Sequence, residues 1–162
     1  MSHVVIADAG PLIALARTGR LSLLPDLFDR VWIPEAVRDE LETCSDRPGA
    51  KALKEAIGPR GWLKVARVSA GACPEPALGQ GEWEAIALAT RESALLLIDE
   101  RPGRRAAKAA GVEVIGTGTV LLLAKSRGIV PRVSPILDEL INADYRLSAA
   151  LVRHLKELAG ER

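Results

Sequence analysis

Acidic side chains follow the ends of two apolar runs that are predicted to form buried strands. Asp8 comes directly after Val4–Ala7, and Asp99 and Glu100 come directly after the run LLLI at 95–98. In a parallel sheet the carboxyl ends of the strands meet at one edge, where α/β folds bind their ligands. Because a buried carboxylate is costly unless something pairs with it, the spacing predicts a shared site that holds a positive charge.

Two predicted helices add further carboxylates. Glu40 falls on the apolar stripe of its helix, and Glu82 shares a helix face with Ala85. Glu84 lies on another face of the second helix, in line with Arg91, and we expect those two side chains to pair at the surface. The periodicity therefore favours Glu82 as the inward carboxylate, with Glu84 as the alternative.

Four or five acids that converge without a matching buried lysine would repel one another strongly. A divalent cation would relieve this repulsion, and ligands that are all oxygen suit Mg²⁺ or Mn²⁺ rather than zinc. Such an ion lowers the pKa of water and neutralises a phosphoryl group during in-line attack. A basic helix begins beside the predicted site, and its cationic side chains are expected to bind phosphates: Arg101, Arg104, Arg105 and Lys108.

Strands and helices alternate along the chain, which predicts a three-layer α/β/α fold with a central parallel sheet. Strands are expected at 4–7, 31–33, 62–68, 95–98 and 112–115. Helices are expected at 11–17, 21–28, 34–44, 50–57, 82–92, 101–108, 119–127, 135–143 and 148–159, with Ser148 as an N-cap. Thr117 follows the last strand, so it should lie at the same edge as the acids.

The composition bounds the class of protein. A chain of 162 residues, 48% hydrophobic and 27% charged, suits one globular domain over 1–162. With three tryptophans, one tyrosine and one phenylalanine, stacking on bases is not expected as the main mode of nucleic-acid binding. The formal net charge of +1 means that any basic surface must be local.

The sequence is typical of a cytoplasmic protein. Cys44 and Cys73 have no metal-binding spacing and are predicted to be reduced thiols. The N-terminus lacks the layout of a signal peptide, and the apolar runs are far too short to span a membrane.

Two other classes that gather acids at a parallel sheet edge fit poorly. A phospho-acceptor receiver domain needs an acid pair after the first strand and a lysine after the last, but Asp8 stands alone and 116–119 holds no lysine. A phosphatase of the haloacid type needs a second aspartate where Gly10 stands.

The chain resembles the PIN-domain ribonucleases and, more narrowly, a bacterial and archaeal branch related to VapC-type toxins. The similar stretches follow the family order and span nearly the whole chain: DAGPLIAL from Asp8, WIPEAVRDEL from Trp32, LGQGEWEAIALA from Leu78, LLLIDERPGRRAA from Leu95, GTGTVLLLAKSRGIV from Gly116 and YRLSAALVRHLKELAGE from Tyr145.

The resemblance implies an endoribonuclease that uses Mg²⁺ or Mn²⁺ to hydrolyse RNA phosphodiester bonds, with Thr117 as a supporting residue. By position, its catalytic residues and metal ligands would be Asp8, Glu40, Glu82 and Asp99. Glu84 stands as the alternative to Glu82, and Glu100 as the alternative to Asp99. The resemblance also implies a toxin held inactive by a small antitoxin protein, and a homodimer.

The second hypothesis is a catalytically inactive PIN-like module that binds RNA or protein.

Overall fold

The computed structural model describes residues 4–162, so the first three residues of the predicted domain lie outside the described part. Within that part, five strands form one sheet: β1 Val4–Ala7, β2 Arg30–Pro34, β3 Leu63–Ala66, β4 Leu95–Leu97 and β5 Val114–Ile115. The helices are α1 Ala9–Arg17, α2 Leu23–Leu27, α3 Glu35–Glu42, α4 Ala50–Ile57, α5 Gln80–Glu92, α6 Arg101–Ala109, α7 Thr117–Ser126, α8 Ser134–Asn142 and α9 Ala149–Leu158. Over residues 4–162, none of these helices is long and apolar enough to cross a membrane.

The strand order is β3-β2-β1-β4-β5, and every pair is parallel. Two strands therefore lie on each side of β1: β2 and β3 on one side, and β4 and β5 on the other. The direction in which successive strands are added reverses between β1 and β4. A crevice opens outside the carboxyl ends of the strands at such a reversal. Ala7 pairs with Leu97 across it, and the Asp8 N–H donates to the Leu97 carbonyl at 2.9 Å.

The two central strands, β1 and β4, are buried on both faces, which explains why they are continuous apolar runs. Val5 and Ala7 face one core, shared with α1, α2, α4, α7 and α8. Ile6, Leu96 and Ile98 face the other, shared with α5 and α6. The predicted three-layer α/β/α arrangement is confirmed.

Four helices begin earlier than the sequence predicts. α1 begins at Ala9 rather than at Pro11, α5 at Gln80 rather than at Glu82, and α7 at Thr117 rather than at Thr119, whereas α8 begins one residue early, at Ser134. The first turn of a helix is favoured by capping residues and need not carry apolar residues, so apolar periodicity alone places the helix start too late. The predicted N-cap of α9 is confirmed, since the Ser148 side chain accepts a hydrogen bond from the Leu151 N–H.

Candidate active site

Asp8 lies at the centre of the crevice, where β1 ends and α1 begins. Its side chain is only 6% exposed, and although it occupies the N-cap position of α1 it makes no side-chain capping bond. Burial, and next the charge of Glu82, raise the pKa of Asp8 to about 7, against a smaller opposing effect of the Ala9 backbone N–H. Asp8 is thus a buried carboxyl that pairs with no cationic side chain among residues 4–162.

Glu82 lies in the first turn of α5 and presents one oxygen to its own helix and the other to the crevice. Its Oε1 accepts a hydrogen bond from the Gly79 N–H at 3.1 Å. Its Oε2 is the buried side-chain oxygen or nitrogen, among residues 4–162, that has no hydrogen-bond partner. Burial raises the pKa of Glu82, as does the charge of Glu100. Because buried polar atoms are almost always partnered, Oε2 is an acceptor available to a ligand.

Glu40 reaches the same place from α3. The side chain as a whole is exposed, but its Oε1 lies 3.0 Å from the point that a β-carbon on Gly81 would occupy. The absence of a side chain at residue 81 therefore lets the Glu40 carboxylate approach the first turn of α5. Partial desolvation raises the pKa of Glu40, and the charges of Glu82 and Glu100 raise it further.

Asp99, just beyond β4, is held by residues from later in the chain. Its Oδ1 accepts from the Thr117 N–H at 2.8 Å, and its Oδ2 accepts from the Thr117 hydroxyl at 2.6 Å. The Tyr145 hydroxyl also donates to Oδ2. Asp99 therefore caps the start of α7 rather than the basic helix that follows it. Strand-end reasoning missed Tyr145, because this residue follows a helix; that it is the single tyrosine of the chain was the one signal available.

Glu100 lies beside Asp99 at the N-cap position of α6, exposed and without a side-chain capping bond. Its negative charge raises the pKa of Asp8, of Glu40 and of Glu82. Asp99 and Glu100 thus both border the crevice. The sequence left open which of the two is the metal ligand, and their positions do not decide between them.

Glu84 is engaged elsewhere. Its Oε1 accepts from the Ala36 N–H at 3.1 Å and its Oε2 accepts from the Gln80 side-chain amide at 3.0 Å, so it ties the start of α3 to α5. The expected surface pair between Glu84 and Arg91 is wrong, because α3 packs against this side of α5. Arg91 pairs with Glu92 instead, at 3.0 Å.

The cationic side chains of α6 lie on one helix face, but they are not equivalent. Arg104 is partly buried, and its Nη1 donates to the Ile98 carbonyl at 2.8 Å, which ties α6 to the end of β4. Arg101, Arg105 and Lys108 are exposed, and within the described chain they make no ion pair or hydrogen bond. These three side chains are free to meet an anion, whereas Arg104 is partly committed to the fold.

The donor set fits a hydrated divalent ion better than a tightly ligated one. Over residues 4–162, no three acidic, histidine or cysteine side chains stand close enough together to hold a metal by themselves. Mg²⁺ needs no such cage, since it keeps several waters and binds through one or two carboxylates. The unpartnered Glu82 Oε2 and the raised pKa values of three clustered acids are the features that such an ion would satisfy.

Comparisons with known proteins were made on the sequence and on the fold. A family model described as PIN domain, DUF3368, matches residues 4–161. Among solved structures, the chain is similar to a PilT N-terminus domain protein, SSO1118, from the hyperthermophilic archaeon Sulfolobus solfataricus P2. The two are 20% identical, with a TM-score of 0.51, over 76% of this chain and 92% of that one. A search of curated proteins finds no match.

Proposed function

Since the chain belongs to the DUF3368 family of PIN domains, which are generally nucleases, we propose that it is a divalent-metal-dependent endoribonuclease hydrolysing RNA phosphodiester bonds. The observation that carries the proposal is the unpartnered, buried Glu82 Oε2 inside a cluster of acids. Asp8 and Glu40 stand in the same cluster, and each has a raised pKa because of burial and of the neighbouring negative charges.

The acids that would surround a hydrated Mg²⁺ or Mn²⁺, bound directly or through its water molecules, are Asp8, Glu40, Glu82 and Asp99, with Glu100 beside them. When bound, the ion would neutralise charge on the phosphate and make a water molecule more acidic. Glu40 combines an exposed side chain with a raised pKa, so we assign to it the acceptance of the proton from the attacking water. Thr117 would keep the Asp99 carboxylate in place through its two hydrogen bonds.

The exposed cations of α6 would bind the RNA backbone. Arg101, Arg105 and Lys108 are exposed on α6, a helix that starts directly after Glu100 at the edge of the crevice. Phosphate contacts give affinity without sequence readout, which suits a chain with few aromatic side chains. Arg104 would contribute mainly by holding α6 against the end of β4.

The proposal extends to the biological role. The order of the similar stretches, which resembles that of the VapC-related branch, supports a toxin of a type II toxin–antitoxin system that acts in the cytoplasm. Such a toxin would be held inactive by a small antitoxin protein and would form a homodimer. Copurification of an inhibitory partner from the native host, with recovery of RNA cleavage after its removal, is the expected result.

The test is cleavage of a panel of structured and single-stranded RNAs by the purified protein, with Mg²⁺, with Mn²⁺ and with a chelator. We expect cleavage in either metal, and loss of cleavage in the chelator and in Asp8→Asn and Asp99→Asn proteins. Asp138→Asn, which removes an exposed carboxylate from α8, is the matched control and should cleave like the parent. Full activity of folded, metal-loaded Asp8→Asn protein would overturn the proposal.

The second candidate is a catalytically inactive PIN-like module that binds RNA or protein. The absence, over residues 4–162, of three side chains placed to hold a metal directly favours it. This module would bind RNA with the same affinity in chelator and in Mn²⁺, and isothermal titration calorimetry would detect no Mn²⁺ binding. Measurable Mn²⁺ binding that is lost in Asp8→Asn would exclude it.

A further inference from the structure

The Tyr145 hydroxyl reaches the acidic crevice from the far end of the chain. It donates a hydrogen bond to Asp99 Oδ2, 46 residues away in sequence. The ring is partly buried and packs against the core on one face of the sheet. Tyr145 is thus a link between the C-terminal helices and the acid that follows β4.

The backbone holds Tyr145 in this position. The Tyr145 N–H donates to the Leu140 carbonyl at 2.9 Å, and the Asp144 N–H donates to the Ile141 carbonyl at 3.0 Å. Asp144 has a φ of 64°. Together these features form a Schellman motif, which ends α8 and directs the next residue back toward the helix. Tyr145 therefore meets Asp99 because the chain reverses at this point.

The other end of α8 is anchored as well. Glu161 has a side chain that is only 5% exposed, and it accepts from the Val133 and Ser134 N–H groups at 2.8 and 2.9 Å. It also pairs with Lys125 of α7 at 2.8 Å. α8 is thus tied at its start by Glu161 and at its end by the turn that carries Tyr145, so the hydroxyl has a firm support.

The donors around Asp99 leave few acceptor positions open. A carboxylate offers about four lone-pair sites. Thr117 N–H takes one on Oδ1, whereas the Thr117 hydroxyl and the Tyr145 hydroxyl both bind Oδ2. The remaining site is on Oδ1, so this oxygen is the one that Asp99 can present to a cation.

We propose that Tyr145 is a positioning residue of the site, which together with Thr117 holds the Asp99 carboxylate so that Oδ1 would be the oxygen available to a divalent ion. This inference rests on the proposed function, since it concerns the same ion. Tyr145 does not touch the ion or the RNA; it acts through Asp99. Hydrogen-bonding partners of metal ligands typically contribute about 10- to 100-fold to metal affinity.

The experiment is Mn²⁺ titration of the full-length protein by calorimetry and by electron paramagnetic resonance, for the parent and for Tyr145→Phe. The variant keeps the ring and loses only the hydroxyl, so thermal unfolding of the metal-free protein should change little. We expect its Mn²⁺ dissociation constant to rise about tenfold, with a changed resonance spectrum of the bound ion. Ser126→Ala, which removes a hydroxyl bonded to the Leu123 carbonyl within α7, is the control and should bind Mn²⁺ like the parent.

The outcomes separate this inference from the proposed function. If the parent binds Mn²⁺ and Tyr145→Phe binds it equally well, the positioning role is wrong while the metal site stands. Tighter Mn²⁺ binding by Tyr145→Phe would mean that the hydroxyl competes with the ion, and this result would also overturn the positioning role. If the parent binds no Mn²⁺, the proposed function and this inference fail together.

Discussion

Glu82 Oε2 lies 2.7 Å from the point that a β-carbon on Gly103 would occupy, and the Ile98 Cδ1 atom lies 2.4 Å from the same point. α6 can therefore pack directly over the acidic crevice only because residue 103 has no side chain. This contact places the first turn of α6, at Gly103, directly against the unpartnered oxygen of Glu82.

Gly103→Ala should separate α6 from the crevice. The added methyl group meets Ile98 at a distance that real structures do not allow, so we expect a loss of roughly 2 kcal/mol in the free energy of unfolding. Gly10→Ala is the matched control, because nothing lies within 4 Å of its added β-carbon, and it should be neutral or stabilising by under about 1 kcal/mol. Urea denaturation of both variants measures the difference, and equal effects would contradict the close contact.

Asp8→Asn should stabilise the metal-free protein at pH 8. The folded pKa of Asp8, about 7, lies above its ordinary value of 3.8, so the folded state holds a proton that the unfolded state has released. The contribution of Asp8 to stability is therefore highest below pH 4 and falls as the pH rises toward about 7. Removing the charge should recover roughly 2–4 kcal/mol at pH 8. It should also remove the Asp8 part of the pH slope and leave the parts that come from Glu40 and Glu82. Denaturation curves from pH 5 to 8 in chelator would show whether both effects occur.

Added Mn²⁺ should oppose the fall in the stability of the parent protein with rising pH. Metal ligands must be deprotonated, so binding releases protons and becomes tighter as the pH rises through the pKa of Asp8. We expect a rise in melting temperature on adding Mn²⁺ that is larger at pH 8 than at pH 6, and that a chelator removes. A shift of equal size at both pH values would argue against Asp8 as a ligand.

The exposed and the partly buried cations of α6 should have different roles. Replacing Arg101, Arg105 and Lys108 by alanine should weaken RNA binding and lower the salt dependence of the binding constant, with little change in stability. Arg104→Ala should lower the free energy of unfolding by about 1 kcal/mol, since it removes the hydrogen bond to the Ile98 carbonyl. Binding titrations at several salt concentrations test the first expectation, and an unchanged salt slope would contradict it.

Glu161→Ala should destabilise the C-terminal part of the fold. Although desolvation opposes it, hydrogen bonds from Lys125, from Ser134 and from the Val133 N–H lower the pKa of Glu161 well below its ordinary value of 4.5. Its contribution is therefore present above that pH and is lost as the pH falls below it. We expect a loss of roughly 2 kcal/mol at pH 7 and a smaller loss at pH 3. Equal losses at both pH values would mean that the charge of Glu161 is not responsible.

Parallel-sheet geometry explains why part of the candidate site can be predicted from the amino-acid sequence. Once the apolar runs are recognised as strands, Asp8 and Asp99 must emerge at one edge, and the structure has them on neighbouring strands. Helix periodicity likewise predicts that Glu82 faces inward, because this residue shares a helix face with Ala85. The engagement of Glu84 by the Ala36 N–H could not be predicted, because it depends on how α3 packs on α5. The approach of Tyr145 depends likewise on the turn after α8, where no periodic pattern exists.

The strand order also governs when the crevice can form during synthesis. β1 comes first in the chain but lies in the middle of the sheet, and its neighbours on one side, β2 and β3, precede β4 in the chain. Asp8 is therefore synthesised long before Asp99, and Asp99 before the tyrosine that supports it. A nascent chain still attached to its ribosome and messenger carries only part of the acidic edge until α8 and the turn after it have emerged.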